Sequence, residues 1–141
     1  MSVIKLERAT RIFQSGEIAT RAISDVDLEI EEGEFCAIRG PSGCGKTTLL
    51  MTLGLLDSLS NGKYFFRHTN VTSLPEKHLA AMRRRHIGFV FQNFNLLDSL
   101  PVWRNVALPL RLSPLKKKIA REKALAALEL VNLTHRADHL P

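Results

Sequence analysis

The clearest chemical motif in the sequence is the segment from Gly40 to Thr47. It reads Gly-Pro-Ser-Gly-Cys-Gly-Lys-Thr and satisfies every fixed position of the pattern G-x-x-x-x-G-K-[ST]. Glycines let the backbone wrap closely with its N–H groups pointing inward, which makes an anion site at the positive end of a following helix. Lys46 would reach the β and γ phosphates of a nucleotide, and the Thr47 hydroxyl would hold a Mg²⁺ ion. The motif therefore predicts nucleotide phosphate binding rather than a chance glycine turn.

The predicted contacts to the nucleotide come from the loop and from the first residues of the helix after it. Thr48 is expected to support the start of this helix. Cys44 occupies a variable position of the motif, where a redox role is open but a small filler role is favoured. The predicted binding residues in this region are Gly40, Ser42, Gly43, Cys44, Gly45, Lys46, Thr47 and Thr48.

The elements that must position the loop are predicted to be a strand before it and a helix after it. Residues 35–38 form a short apolar run, typical of a strand buried on both faces of a parallel sheet. Residues 46–56 carry leucines at helical spacing. A second apolar run at residues 87–91 predicts another buried strand, which ends at Gln92. Strand, loop and helix thus follow in the order that the motif requires.

The flanking segments predict an α/β protein with a β layer first and helices last. Alternating residues at 3–9 and 23–30 predict antiparallel strands, and Asn61-Gly62 predicts a turn before a third strand at 63–67. Ser73 and Glu76 match a capping box for a helix over 74–84. Residues 102–112 favour a helix broken at Pro109, and Ser113-Pro114 predicts the start of a helix that reaches Val131.

Composition and charge exclude several classes of protein. The 141 residues are 45% hydrophobic and 24% charged, which is typical of a folded globular chain. No apolar run approaches the roughly 20 residues of a membrane-spanning helix, and charges at residues 5–8 argue against a signal peptide, so a cytoplasmic chain is expected. Two cysteines do not make a disulfide framework. The net charge of +6 comes with basic clusters at 83–85 and 116–118, interpreted as solvated helix faces rather than a nucleic-acid site.

Residues 40–50 and 87–97 together closely resemble the nucleotide-binding subunits of ABC transporters, and the similarity extends over essentially the whole chain. Residues 27–35 look like the family's approach to its Walker A loop, and residues 91–97 with 105–110 are similar to the lipoprotein-release and macrolide-export branch. The resemblance implies a partial P-loop NTPase core of the RecA type. Residues 1–92 would hold the β layer and the front half of the core, and residues 93–141 an incomplete α-helical subdomain.

The resemblance also implies roles for residues outside the loop. Gln92 matches the Q-loop glutamine, which in the family contacts Mg²⁺ or the attacking water and couples the nucleotide site to the membrane subunits. Its amide can both accept a hydrogen bond from water and coordinate a cation. Phe13 matches the aromatic residue that stacks on adenine, although core packing is an equal alternative for a lone Phe. The segment around Trp103 would face a membrane partner.

The end of the sequence departs from the family pattern. The family's signature motif, its acidic Walker B strand, its D-loop and its switch histidine do not occur, and residues 136–141 resemble those just ahead of the signature. His135 and His139 are therefore not the switch histidine. We expect a truncated chain of marginal stability, in which ATP hydrolysis is slow or absent and enzyme activity is uncertain.

Two function classes follow from these observations. The first is the ATP-binding subunit of an ABC transporter that powers export, with ATP and Mg²⁺ bound, a transmembrane permease as partner, and a homodimer in the full-length family. It would lie at the inner face of the cell membrane and bind no nucleic acid. The alternative is a non-hydrolysing remnant or interaction module that binds a transporter membrane subunit. A small P-loop nucleotide kinase also fits the loop but leaves residues 91–97 unexplained.

Overall fold

The computed structural model describes residues 1–111 and 116–141, and the chain divides into two compact units, Met1–Phe89 and Val90–Pro141. The first unit contains the β layer and two helices, and the described residues of the second contain two helices and a short 3₁₀ turn. The elements are β1 (Ser2–Ser15), β2 (Ile18–Glu31), α1 (Lys46–Leu53), β3 (Asn61–Phe66), β4 (Thr69–Asn70), α2 (Glu76–His86), α3 (Val102–Arg111), α4 (Lys117–Leu130) and the 3₁₀ turn Thr134–Arg136.

The four strands of the first unit form one antiparallel sheet in the order β2-β1-β3-β4. This confirms the predicted antiparallel layer and its continuation after residue 60. The predicted turn at Asn61-Gly62 is wrong, because these residues already belong to β3, with Asn61 opposite Thr10. The backbone N–H of Ser60 donates to the carbonyl of Thr10 at 2.8 Å. Pairing with β1 therefore begins before the asparagine.

The core of the first unit lies under the inner face of the sheet. Side chains from β1 and β3 meet residues at the end of α1 and just beyond it, and partly buried residues of α2 pack against them. The alternation of β1 and the amphipathic spacing of α2 explain why these faces turn inward. The buried members of the cluster are Leu6, Ala9, Leu53, Leu55, Tyr64, Phe66 and Val71.

The two predicted buried strands at residues 35–38 and 87–91 do not form. Phe35 is 96% exposed and Val90 is 100% exposed. A strand buried on both faces needs paired neighbours on each side. Within residues 1–111 and 116–141, the only sheet is the antiparallel one, and neither segment pairs with it. Apolar composition alone therefore did not suffice to make these segments strands.

Two helix ends in the first unit differ from the prediction. Helix α1 ends at Leu53, because Gly54 caps it with a backbone bond to Leu50 and Leu55 then takes a positive φ of 59°. The predicted capping box before α2 is wrong. Pro75 is the N-cap and makes no side-chain cap, while the carboxylate of Glu76 instead pairs with Arg83.

Helix α3 departs from the prediction at its interior proline. The helix is not broken at Pro109 but continues to Arg111. A proline removes one backbone hydrogen bond, and because only two helical residues follow Pro109, little of the helix depends on that bond. The predicted start at Ser113-Pro114 lies outside the described residues. Helix α4 ends at Leu130, close to the predicted end, and Asn132 follows with a φ of 58°. None of the described helices is long and apolar enough to span a bilayer.

In the second unit, α3 and α4 pack through small buried side chains, Ala107 on α3 and Ala120 and Ala124 on α4. The side chain of Asn105 organises the segment before α3. Its Oδ1 accepts from the backbone N–H of Leu97 at 2.8 Å, and its Nδ2 donates to the carbonyls of Leu97 and Leu100 at 3.1 and 2.9 Å. One buried amide thus satisfies several backbone groups.

We predict that Asn105→Leu destabilises the second unit by about 2 kcal/mol, because backbone groups of the preceding segment lose their partners. Asn105→Asp should also be destabilising, since its carboxylate still accepts from the Leu97 N–H but faces the Leu97 and Leu100 carbonyl oxygens. Hydrogen exchange at the Leu97 amide provides the measurement. Equal protection in wild type and Asn105→Leu would contradict this role.

Tyr64 gives a second prediction, on stability against pH. Its hydroxyl donates to the Leu53 carbonyl at 2.7 Å, and burial raises the pKa of Tyr64 well above its ordinary value of 10.0. Because the unfolded chain releases this proton more readily, the phenol contributes stability below about pH 10 that is lost at higher pH. Urea unfolding should show a steeper loss of stability above pH 10 for wild type than for Tyr64→Phe. Parallel stability profiles of wild type and Tyr64→Phe above pH 10 would contradict this contribution of the phenol.

Candidate functional site

The glycine loop stands on the surface of the first unit, between an extended segment and α1. Gly43 and Gly45 have φ angles of +79° and +91°, which side chains of L-residues rarely adopt. Gly45 also lies directly against β2, because a Cβ added to it would overlap the backbone carbonyl of Ala22. The loop conformation therefore depends on glycine at the position where the loop rests on the sheet.

The ammonium group of Lys46 is folded into the loop. It donates to the carbonyls of Gly40 and Pro41 at 3.0 and 2.6 Å and lies 3.8 Å from the Cys44 sulfur. Within the described residues, no carboxylate is paired with Lys46. Its positive charge is thus held by neutral groups, two backbone carbonyls and the Cys44 sulfur, which are weaker partners than an anion.

The start of α1 lacks a protein cap. Its N-cap residue, Gly45, makes no side-chain cap bond, and the first turn contains no acidic residue. The first N–H groups of a helix have no partners within it and carry partial positive charge. Thr47 is exposed in this turn, and Thr48 accepts through its carbonyl from the Thr52 hydroxyl at 2.9 Å. The start of α1 therefore carries partial positive charge at the surface, and a role for Thr47 in holding a cation stays a prediction.

Cys44 packs inside the loop. Its sulfur lies 2.6 Å from the position that a Cβ on Gly40 would occupy, so the thiol fills the space left by that glycine. It is a free, exposed cysteine. This packing is what a filler residue requires, while a redox role stays a prediction.

Phe13 lies on β1 near the loop. It pairs with Thr20 on β2, two residues before Ala22, whose carbonyl touches Gly45, so Phe13 lies on the strand next to the one on which the loop rests. The residue is 43% exposed and is not part of the buried core. Such a position favours a surface platform over core packing.

Gln92 and Trp103 belong to the second unit. Gln92 is exposed in an irregular segment, and its role at a nucleotide site stays a prediction. Trp103 is half-buried, with the guanidinium carbons of Arg104 and Arg121 each 5.3 Å from its ring.

The sequence analysis missed Arg11 and Asp57. The guanidinium carbon of Arg11 lies 4.6 Å over the ring of Phe13, and the same guanidinium is paired with the carboxylate of Asp57. The spacing of Arg11 and Phe13 on one strand face could have indicated their contact. Asp57 is 46 residues away, and no local pattern connects it to Arg11.

The glycine loop, α1 and the antiparallel layer define an α/β P-loop NTPase fold, present in part, as predicted. A search of solved structures agrees. The dimeric structure of a post-hydrolysis state of the ATP-binding cassette MJ0796, bound to ADP and Pi, superposes with a TM-score of 0.87 at 37% identity. The match covers 98% of this chain and 61% of that one.

The family model described as ABC transporter matches residues 23–141. An uncharacterized ABC transporter ATP-binding protein of Methanocaldococcus jannaschii is 40% identical over 99% of this chain and 62% of its own length. The macrolide export ATP-binding/permease protein MacB of Hyphomonas neptunium is 44% identical over 99% of this chain and 22% of its own length. The chain therefore belongs to the ABC transporter family. It spans about three fifths or less of these relatives, and both export and import proteins match at similar identity.

A pair of glycine variants tests the geometry of the loop. Gly45→Ala combines a positive φ with overlap onto the Ala22 carbonyl, so we predict a loss of about 3 kcal/mol in stability and disruption of the loop. Gly43→Ala has a similar φ but meets nothing within 4 Å, so it should cost only about 1 kcal/mol. Thermal unfolding of the two variants measures the difference. Equal costs would argue against tight packing of the loop on β2.

Proposed function

We propose that this chain binds ATP with Mg²⁺ through the loop from Gly40 to Thr47, as the ATP-binding part of an ABC transporter of the export type. The observation that carries the proposal is the Lys46 ammonium, held inside a glycine loop by the Gly40 and Pro41 carbonyls, with no carboxylate paired with it among the described residues. An anionic phosphate chain is a stronger partner for this charge than those carbonyls.

Each loop residue would contribute a distinct interaction. Backbone N–H groups of the loop and of the first turn of α1 would donate to phosphate oxygens, and Lys46 would turn from the Gly40 and Pro41 carbonyls towards them. Thr47 would hold Mg²⁺, which when bound neutralises charge on the phosphate oxygens. Phe13 would stack on the adenine, and Gln92 would contact Mg²⁺ or the attacking water.

Hydrolysis by this chain alone is proposed to be slow. Catalysis of phosphoryl transfer to water requires a group that orients or polarises the water. In the part of the chain that the structure describes, no carboxylate is hydrogen-bonded to the loop residues. We therefore expect the chain to bind ATP even though it hydrolyses ATP slowly.

The wider assembly is also a proposal. The dimeric form of MJ0796 supports a second copy of the cassette as a partner, and the name of MacB supports a permease partner and export. Such partners would place the chain at the inner face of the cell membrane.

Exposed apolar side chains of the second unit, including Phe94 and Leu130, favour a second candidate, an interaction module that binds a membrane subunit without turnover. A phosphate-release assay separates the two, since turnover lost in Lys46→Ala indicates an ATPase.

We predict that Lys46→Ala weakens the binding of ATP with Mg²⁺ at least tenfold, because the loop loses its only ammonium group. Lys77→Ala, on the exposed face of α2, is the matched control and should bind like wild type. Isothermal titration calorimetry measures both affinities. Equal affinity in wild type and Lys46→Ala would reject the proposed site.

A further inference from the structure

The side chain of Arg11 makes two contacts at once. Its guanidinium carbon lies 4.6 Å over the ring of Phe13, at a distance suited to a cation–π interaction. Its Nε donates to Oδ2 of Asp57 at 3.1 Å, and its Nη2 lies 2.6 Å from Oδ1. This is a two-point pairing, which fixes the plane of the guanidinium as well as its position.

Asp57 is itself held in place just after α1. Its backbone N–H donates to the Met51 carbonyl at 3.3 Å, and its Oδ1 accepts from the Ser58 N–H at 2.8 Å. The side chains of Arg11 and Asp57 are only 21% and 20% exposed. Partial burial and defined geometry separate this pair from the mobile surface ion pairs that contribute little.

The strand beside Phe13 is anchored to the same segment by a serine. The Ile12 N–H donates to the Ser60 hydroxyl at 3.0 Å, and that hydroxyl donates to the Ile12 carbonyl at 3.3 Å. Residues 57–60 therefore connect the strand that carries Phe13 with helix α1, which carries Lys46. These bonds fix the strand that carries Phe13 against the segment that follows α1.

The guanidinium occupies one face of the Phe13 ring, yet the residue is still 43% exposed. A base that stacks on this ring would use the side away from the guanidinium, because the guanidinium occupies the other face. A ring that is already fixed also loses less conformational entropy when a base stacks on it.

We infer that Arg11, held by Asp57, is a positioning residue that presents the free face of Phe13 to a purine base, so that this chain distinguishes a nucleotide from a bare triphosphate. The inference rests on the proposed function. It assigns to the Arg11–Asp57 pair a contribution to recognition of the base, with no contribution to binding of the phosphates.

The test compares two ligands in the presence of Mg²⁺, ATP and inorganic tripolyphosphate, by calorimetry on the whole chain. Arg11→Gln and Asp57→Asn should each weaken the binding of ATP about fivefold and leave the affinity for tripolyphosphate unchanged, because only the contact with the base is affected. The double variant should lose no more than either single variant, since both act through one ring. Arg21→Gln, an exposed arginine on β2 that bonds to Ser24, is the matched control and should alter neither ligand.

The outcomes are distinguishable. If Arg11→Gln weakens the binding of ATP and of tripolyphosphate equally, Arg11 has a general structural role and the inference is overturned. The inference is also overturned if neither affinity changes. If Arg11→Gln unfolds, Arg11→Lys keeps the charge and should retain partial discrimination. If Phe13→Leu no longer distinguishes ATP from tripolyphosphate, the result supports an effect of Arg11 through the Phe13 ring. If Phe13→Leu still distinguishes the two ligands, the inference is overturned. If wild type binds neither ligand, the proposed function itself fails.

Discussion

The contact between Gly45 and the carbonyl of Ala22 is the constraint on which the site depends. It places the phosphate loop on the edge of the β1–β2 hairpin and leaves no room for a side chain. From this contact α1 starts, and its first N–H groups have no partners within the helix. The neighbouring strand of the same hairpin carries Phe13. The glycine loop and Phe13 are thus held on one hairpin because one glycine allows two segments of backbone to touch.

Local patterns in the sequence were sufficient for much of the first unit. Alternation over 3–9 and 23–30 predicted β1 and β2, since a half-buried strand needs only its own period of two. The glycine motif predicted the loop and the start of α1, because the loop conformation is encoded within eight neighbouring positions. The same reasoning predicts Lys46 and Thr47 as residues of a phosphate site and leaves stacking on a base and core packing as two alternatives for Phe13.

The sequence reasoning was wrong where structure depends on distant partners. Residues 35–38 and 87–91 have the composition of buried strands, but a parallel strand exists only beside other strands, and no pattern within the segment reports their presence. Glu76 was expected to cap its own helix and instead pairs with Arg83, two turns along the same face of α2. The pairing of Arg11 with Asp57 was missed for the same reason, because it joins a strand to a loop beyond the next helix.

The electrostatics of the site follow from where charge is left uncompensated. The chain has a net charge of +6, yet the loop holds a single ammonium, Lys46, stabilised by carbonyl dipoles. The neighbouring first turn of α1 adds partial positive charge and no acid offsets it. Local geometry, more than total charge, is thus the basis on which we propose an anion site at this surface.

The most direct measurement is a ¹⁵N–¹H correlation spectrum of the chain recorded with and without ATP and Mg²⁺. Backbone amides of residues 42–48 donate to the phosphates in our account, so their resonances should shift most, together with those beside Phe13. Shifts confined to other basic segments, such as residues 116–118, or a spectrum that does not change, would contradict the central claim.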